Sequence, residues 1–141
     1  MTRVLGGLTS TQAFAVRLGV PYTIAQIVAH MLANMRFNLE LIYAQDPACV
    51  EKPGELWPEV AADEWPVLSD EFIATLEALK HIAKTDDLDR IVHPTTANEP
   101  AWTVGYKLAC SVAKHNAYHL GQIVALRRLI GAWRDPAGPA R

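Results

Sequence analysis

Residues Ala113–Ile123 read AKHNAYHLGQI and carry two histidines, His115 and His119, four positions apart. Two residues at this spacing on an α-helix lie on one face, about 40° apart around the axis. A pair of imidazoles placed in this way can bind one metal ion from a single rigid element. The pair also lies within an apolar-periodic stretch, where an unpaired polar ring is costly to bury. His115 and His119 are therefore candidates for two of the ligands of a metal site.

Helical periodicity extends outward from this segment over most of the chain. Apolar residues recur at helical spacing from Thr23 to about Gln45, from about Trp65 to Lys84 and from about Trp102 to Trp133. A shorter helix is predicted from Ser10 to Leu18, closed by Gly19. With no repeat or linker in between, the pattern predicts a single all-α domain over residues 1–141, of the helix-bundle type.

The connections between these helices are predicted as loops. Residues 47–64 and 85–101 are rich in Pro, Asp and Thr. Within the second connection, Ile91 and Val92 and the segment before Trp102 are candidates for a brief pair of strands.

Composition and charge exclude several classes of protein. The chain has 141 residues, of which 50% are hydrophobic and 20% charged, which is typical of a folded globular domain. The formal net charge of −2 gives no electrostatic footprint for nucleic acid. No apolar run is long enough to span a bilayer, and the N-terminus lacks the pattern of a signal peptide, so a cytoplasmic location is expected. Cys49 and Cys110 are then expected to remain thiols, with Cys110 a small core residue rather than a ligand.

A third histidine, His30, lies in the middle of the first long amphipathic stretch, between apolar neighbours. A lone histidine on such a face is ordinarily a hydrogen-bonded core residue. Here a second helix carries two more, and bundle cores are where metal sites are built from facing helices. One His facing two at i and i+4 is the minimum for a site with three protein ligands. His81, near a helix end, and His93, before Pro94, are interpreted as structural or solvated.

The chemistry of the site follows from its ligands. Three neutral imidazoles without a carboxylate suit zinc or nickel, and they leave coordination positions free for water or a substrate thiol. The amides Gln26 and Asn34, one turn from His30, and Gln122, three residues after His119, are candidates to orient the rings. Tyr118 lies beside the pair and is interpreted equally as packing or as function. No Asp or Glu shares a face with the histidines, which weakens a case for general-base hydrolysis.

At this point the chain resembles a known family. The pairing of Thr23–Met31, which reads TIAQIVAHM, with His115–Ile123, which reads HNAYHLGQI, is similar to the DinB-like metalloprotein superfamily. Trp57 with Pro58, and Trp65, also fit subgroups of that family. The resemblance covers the chain from Leu5 to Trp133.

The resemblance implies a four-helix bundle in which His30, His115 and His119 bind a divalent metal. It also implies an activity: members of known function are transferases or isomerases that depend on low-molecular-weight thiols such as bacillithiol, mycothiol or glutathione, while many have none known. Induction by DNA damage, which gave the family its name, does not imply DNA binding.

The chain departs from the family pattern at its start. Family members generally have a long first helix before the segment that matches Leu8–Ala13, but here only seven residues precede it. The DinB-like four-helix bundle is therefore expected with a shortened N-terminal helix, which leaves three long helices. Either an apolar groove stays open or a second subunit fills it, and we expect a homodimer.

Arg127 and the four tryptophans have two interpretations each. Arg127 either lies on a solvated helix end or, two turns beyond His119, binds an anionic thiol cofactor or substrate. The tryptophans either line the mouth of a pocket or anchor loops to the bundle; they are Trp57, Trp65, Trp102 and Trp133.

Two classes of function remain open at the level of sequence. One is a metal-dependent enzyme acting on small molecules, by thiol transfer or hydrolysis. The other is a non-catalytic metal-binding or stress-associated dimer. Neither class involves nucleic acid or a membrane.

Overall fold

The computed structural model describes residues 2–46, 50–51, 57–93 and 100–133. These residues are mostly helical, as the all-α prediction requires, and none of the described helices combines the length and apolarity needed to cross a bilayer. In chain order the elements are α1 (Thr2–Leu5), α2 (Ser10–Ala13), α3 (Ile24–Tyr43), a 3₁₀ turn (Ala62–Glu64), α4 (Trp65–Thr85), β1 (Ile91–His93), β2 (Trp102–Thr103), α5 (Val104–Tyr106), a π-helical segment (Lys107–Ala113) and α6 (Lys114–Leu129).

Helix α3 is the central element, and its start is fixed by local chemistry. The Thr23 hydroxyl accepts a hydrogen bond from the Gln26 backbone N–H, while the Gln26 side chain accepts one from the Thr23 backbone N–H. This capping box satisfies two backbone donors that the first turn leaves unpaired. The helix ends at Tyr43, because Ala44 has extended backbone angles. Most of its apolar residues are buried, with Met31 and Met35 fully enclosed.

Helix α4 begins at Trp65, as predicted, and Pro66 occupies the first turn, where a missing N–H costs nothing. The Trp65 indole donates to the carbonyl of Leu8 at 3.2 Å and so ties α4 to the N-terminal segment. This contact confirms an anchoring role for one of the four tryptophans.

The third long helix is built from three parts. Helix α5, the π-helical segment and α6 follow one another without leaving helical backbone angles at Lys107 or Lys114, and we call residues 104–129 the C-terminal helix. Its predicted start at Trp102 is two residues too early, because Trp102 and Thr103 form β2. That strand pairs with β1 in antiparallel orientation, so Ile91 and Val92 do lie in a brief strand, but their partner is Trp102–Thr103 rather than the predicted segment before Trp102.

Two local predictions are wrong. Helix α2 ends at Ala13 rather than at Leu18, and Val16 and Leu18 beyond it are 75% and 105% exposed. Gly19 nevertheless reverses the chain with a φ of +80°, a value that favours glycine. Cys110 is a free thiol, as expected, but it is exposed instead of lying in the core. Cys49 falls outside the described residues.

An apolar groove separates α4 from the C-terminal helix. Both pack against α3 but make few contacts with each other within the described residues. The groove has a volume of about 280 Å³, and its lining is almost entirely apolar: Leu76, Leu79, Lys80, Ala83, Leu108, Val112, Ala113, Asn116, Ala117 and Leu120. Among the described residues the chain thus has three long helices, with an apolar groove between two of them.

Candidate metal centre

Three histidines converge between α3 and α6. His30 lies about two turns into α3, and His115 and His119 lie on the first turns of α6. One ring nitrogen from each residue can be chosen so that all three lie within 4.8 Å of one another. The Nε2 atoms of His30 and His115 are 2.9 Å apart. The structure therefore brings together all three of the predicted ligands.

The spacing of these nitrogens suits a shared ion. Two nitrogens bound at about 2.0–2.1 Å to a tetrahedral ion are roughly 3.4 Å apart. The closest two nitrogens in the cluster are 2.9 Å apart, and the largest separation is at most 4.8 Å. Because these distances lie on either side of roughly 3.4 Å, small side-chain rotations would bring the three nitrogens to the spacing that a tetrahedral ion requires. The ring centroids lie 4.5–4.9 Å apart at interplanar angles of 52–76°, which lets the lone pairs of different rings point to a common centre.

Burial favours the neutral, metal-binding form of His115 and His119. His30 and His119 are 8% and 5% exposed, and His115 is half-buried. Desolvation lowers the pKa of His115 below its usual value, and charge on His119 or His30 lowers it further. Desolvation also lowers the pKa of His119, although the hydrogen bond that His119 donates to Gln122 acts to raise it. An additional proton, which would give His115 or His119 a positive charge, is therefore disfavoured.

Gln122 orients His119, as predicted from sequence. The Gln122 Oε1 atom lies 2.7 Å from His119 Nδ1, and as a carbonyl oxygen it accepts the Nδ1–H. This bond leaves the Nε2 lone pair of His119 available for a ligand. The Gln122 amide in turn donates to the Tyr118 hydroxyl at 3.2 Å. Tyr118 thus acts on the site indirectly, through Gln122, while its ring remains 66% exposed.

Asn34 orients His115 rather than His30, which corrects the sequence-based pairing. Its Nδ2 atom lies 3.1 Å from His115 Nδ1 and donates to the Ser111 carbonyl at 2.8 Å, while its Oδ1 accepts from Asn38. These contacts fix the amide orientation, so Nδ2 donates to His115 Nδ1. In this form the ring proton of His115 is on Nε2 and is shared with His30. It has to move to Nδ1, with a turn of the Asn34 amide, before Nε2 can bind an ion.

Gln26, the third residue predicted to orient a ring, does not orient His30. Its side chain is used in the capping box with Thr23, and its Oε1 also accepts from the Thr23 hydroxyl at 3.2 Å. The residue that contacts the face of the His30 ring is Trp57, with centroids 4.0 Å apart and planes within 5°. Tyr22 stacks on the opposite face of Trp57 at 3.9 Å. From the sequence, Trp57 had two interpretations, as a residue at the mouth of a pocket or as a loop anchor, and Tyr22 was not identified.

Arg127 lies in a different environment. It is buried, and Nη1 donates to the backbone carbonyls of Val4 at 2.6 Å and Gly6 at 3.1 Å. Nε and Nη2 donate to the carbonyl of Ala132 at 3.1 and 2.7 Å. Arg127 is therefore not on a solvated helix end, and these bonds use the donors that an anionic cofactor would need. Its cofactor-binding role stays a prediction, without support from these contacts.

The remaining histidines and tryptophans lie apart from the cluster. His81 is exposed on α4, and His93 packs against Trp102, with ring centroids 4.9 Å apart. Trp102 also faces Lys107, whose Nζ is 3.8 Å from the ring centroid, and Trp133 lies 5.5 Å from the Arg127 guanidinium. These contacts agree with the structural interpretation of both histidines and with anchoring roles for both tryptophans.

The donor set determines what the arrangement can do chemically. Among the described residues the cluster consists of imidazoles alone, with no carboxylate or thiol in it. Such a set fits zinc or nickel and offers three protein ligands, the number found in catalytic sites that keep a position for water or substrate. No family model, curated protein or solved structure matches the chain.

Proposed function

We propose that this protein is a DinB-like metalloenzyme in which His30, His115 and His119 hold one divalent ion, zinc or nickel. The observation that carries the proposal is the convergence of three buried or half-buried ring nitrogens within 4.8 Å, from two different helices. Supporting it, His119 already has its Nδ1–H held by Gln122, and burial lowers the pKa of two of the three rings. The shortened four-helix bundle and the cytoplasmic location remain part of the proposal.

The proposed reaction is transfer of a low-molecular-weight thiol to a small electrophile. A bound divalent ion supplies Lewis acidity that lowers the pKa of a coordinated thiol or water toward neutrality. The protein contributes the orientation of its ligands: Gln122 keeps the proton of His119 on Nδ1, and the Tyr22–Trp57 pair covers the face of His30. His115 is the most exposed of the three rings, so the proposed substrate approaches from its side.

Thiol transfer is favoured over hydrolysis by the residues around the cluster. Hydrolysis by a metal-bound water gains from a carboxylate that acts as general base. Among the described residues the cluster contains no such carboxylate, and the amides of Asn34 and Gln122 contact two of its rings. A thiol bound to the ion would release its S–H proton to solvent water, because the ion would lower the pKa of the thiol, and the sulfur would then attack the electrophile without a protein base.

The test is an activity screen with matched metal states. The zinc-loaded, nickel-loaded and chelator-treated proteins are assayed with a panel of thiols and electrophiles, and His119→Ala is the control. We expect thiol consumption only with the loaded wild type. Equal rates for the loaded protein and His119→Ala would overturn the enzyme proposal.

The second candidate function is that of a non-catalytic metal-binding protein.

For either function, we propose that the groove between α4 and the C-terminal helix is covered by a second copy of this chain. Its support is the apolar lining, in which Lys80 is the one charged residue, and the small side chains Ala113 and Ala117, which allow close approach of another helix.

Light scattering at low micromolar concentration tests this interface. We expect a dimer mass for the wild type and for Ala125→Glu, whose alanine is exposed on α6 outside the groove, but a monomer mass for Ala117→Glu. A monomeric wild type would exclude the obligate dimer.

A further inference from the structure

Trp57 is enclosed between two other rings at the edge of the metal centre. One face of the indole stacks on Tyr22, with centroids 3.9 Å apart and planes within 8°. The other face stacks on His30, with centroids 4.0 Å apart and planes within 5°. The edge of the same indole meets His119 at 6.0 Å and 81°. Trp57 therefore contacts two of the three proposed ligands.

The stack connects parts of the chain that are far apart in sequence. Tyr22 immediately precedes the Thr23 cap of α3, His30 lies further along the same helix, and Trp57 comes from the connection that leads to α4. Parallel stacking at this distance fixes the plane of a ring more strictly than aliphatic packing does, because the contact is lost when either ring tilts. Trp57, a residue outside α3, thus restricts the tilt of the His30 ring.

A ring plane matters for metal binding because the lone pair of an imidazole nitrogen lies in it. For His119 and His115 the orienting contacts are hydrogen bonds to amides, from Gln122 and Asn34. His30 has the Trp57 indole stacked on its ring face, and its Nε2 lies 2.9 Å from His115 Nε2. Groups that orient metal ligands typically contribute 10–100-fold to metal affinity.

We infer that Trp57 is a positioning residue of the metal centre: by stacking on His30, and itself backed by Tyr22, it holds the His30 imidazole in the orientation that binds the ion. This inference rests on the proposed metal site. It predicts that an aromatic face at position 57 is required, and that the apolar volume of the side chain alone is not sufficient.

The experiment compares zinc affinities, measured by competition with a chromophoric chelator and with zinc as the only ligand. Trp57→Phe keeps an aromatic face and is expected to bind zinc within about threefold of the wild type, whereas Trp57→Leu is expected to lose about tenfold. Trp102→Leu makes the same chemical change beside Lys107, away from the cluster, and is expected to leave the affinity unchanged. Equal affinities for Trp57→Leu and the wild type would overturn the inference.

A second readout does not depend on affinity. Paramagnetic Cu²⁺ or Ni²⁺ bound at His30 should quench the fluorescence of an indole stacked on that ring. We expect quenching in the wild type and in Trp102→Phe, and its loss in Trp57→Phe at saturating metal. Unchanged quenching in Trp57→Phe would place the affected indole elsewhere and contradict the inference.

Failure of the inference can be told apart from failure of the proposed function. If the wild type binds no zinc, the metal site itself is wrong. If the wild type binds zinc and the Trp57 variants bind it equally well, the inference alone is wrong. Should Trp57→Leu not fold, Tyr22→Ala decides instead, since Tyr22 is 38% exposed and touches the stack only from outside. A loss of about threefold supports the inference, and an unchanged affinity overturns it.

Discussion

The buried Arg127 on α6 and the histidine cluster between α3 and α6 have opposite kinds of partner for their nitrogen atoms. At Arg127, the guanidinium donors are paired with backbone carbonyls of Val4, Gly6 and Ala132 at 2.6–3.1 Å. At the histidine cluster, about two turns earlier, the ring nitrogens face one another, with two Nε2 atoms 2.9 Å apart.

The comparison teaches how to distinguish a structural polar group from a binding one. A cation whose donors mostly end on fixed carbonyls holds segments of the chain together. Ring nitrogens that converge on one small volume can hold a cation, once the proton between His30 and His115 has moved to Nδ1 of His115. Arg127 therefore has the contacts of a structural group, whereas the three histidines, two from α6 and one from α3, could hold a metal ion.

The largest expected effect is the loss of metal binding in His119→Ala. Removing one of three ligands should weaken zinc binding by more than about 100-fold, beyond the range for orienting groups. The helical circular-dichroism signal should remain, because all three long helices contribute to one apolar core. Chelation of the wild type should likewise leave that signal unchanged. Helix loss on chelation would mean that the metal is structural.

Arg127→Met should give the opposite phenotype. The change leaves several buried carbonyls without donors, and we expect the free energy of unfolding to fall by about 2–4 kcal/mol. Zinc affinity and thiol binding should not change once the variant is folded. Urea denaturation measures the first effect and chelator competition the second. A stable Arg127→Met variant that loses affinity for a thiol would instead support the cofactor-binding role predicted from sequence.

A smaller effect is expected at Gln122, which acts on the metal centre through His119. Gln122→Ala removes the acceptor for the Nδ1–H and should lower zinc affinity by about tenfold. Gln122→Glu keeps an acceptor oxygen in the same place and should bind zinc at least as well as the wild type. Equal losses in both variants would show that the 2.7 Å contact does not orient the ring.

The smallest expected effect is the pH dependence of the metal-free protein. The folded chain lowers the pKa of His115 and His119 below 6.5, chiefly by burial. As pH falls below 6.5, the unfolded chain binds protons that the folded chain resists, so the free energy of unfolding should decrease. Urea denaturation at pH 7.5 and 5.5 measures this change, and His119→Ala should reduce it whereas His81→Ala, at an exposed position, should not. Stability that rises on acidification would contradict the lowered pKa values.

Much of the fold was predictable because its signals are local. The apolar period placed all three long helices, and the Thr23 capping box and Pro66 mark two of their starts. The π-helical segment was not predictable, since i→i+5 bonding depends on how the C-terminal helix packs rather than on residue propensity. Cys110, predicted to be a core residue from its position off the face of the His pair, is exposed instead, because its burial depended on tertiary packing that helical spacing does not determine.

At the site, spacing alone predicted the ligands but not all of their neighbours. His115 and His119 had to share a face, and Gln122 had to follow one turn later, so both could be derived from one helix. Asn34 was assigned to His30 by the same logic, but the packing of α3 on the C-terminal helix turns its amide toward His115. Tyr22 and Trp57 come from outside the helical pattern, and contacts of that kind depend on tertiary structure.

X-ray absorption at the metal edge of the zinc-loaded protein tests the central claim most directly. We predict one ion per chain, bound by three imidazole nitrogens at about 2.0–2.1 Å with an oxygen ligand completing the set. The scattering of one imidazole should be lost in His30→Ala. The absence of stoichiometric zinc, or a sulfur ligand at about 2.3 Å, would contradict the three-histidine site.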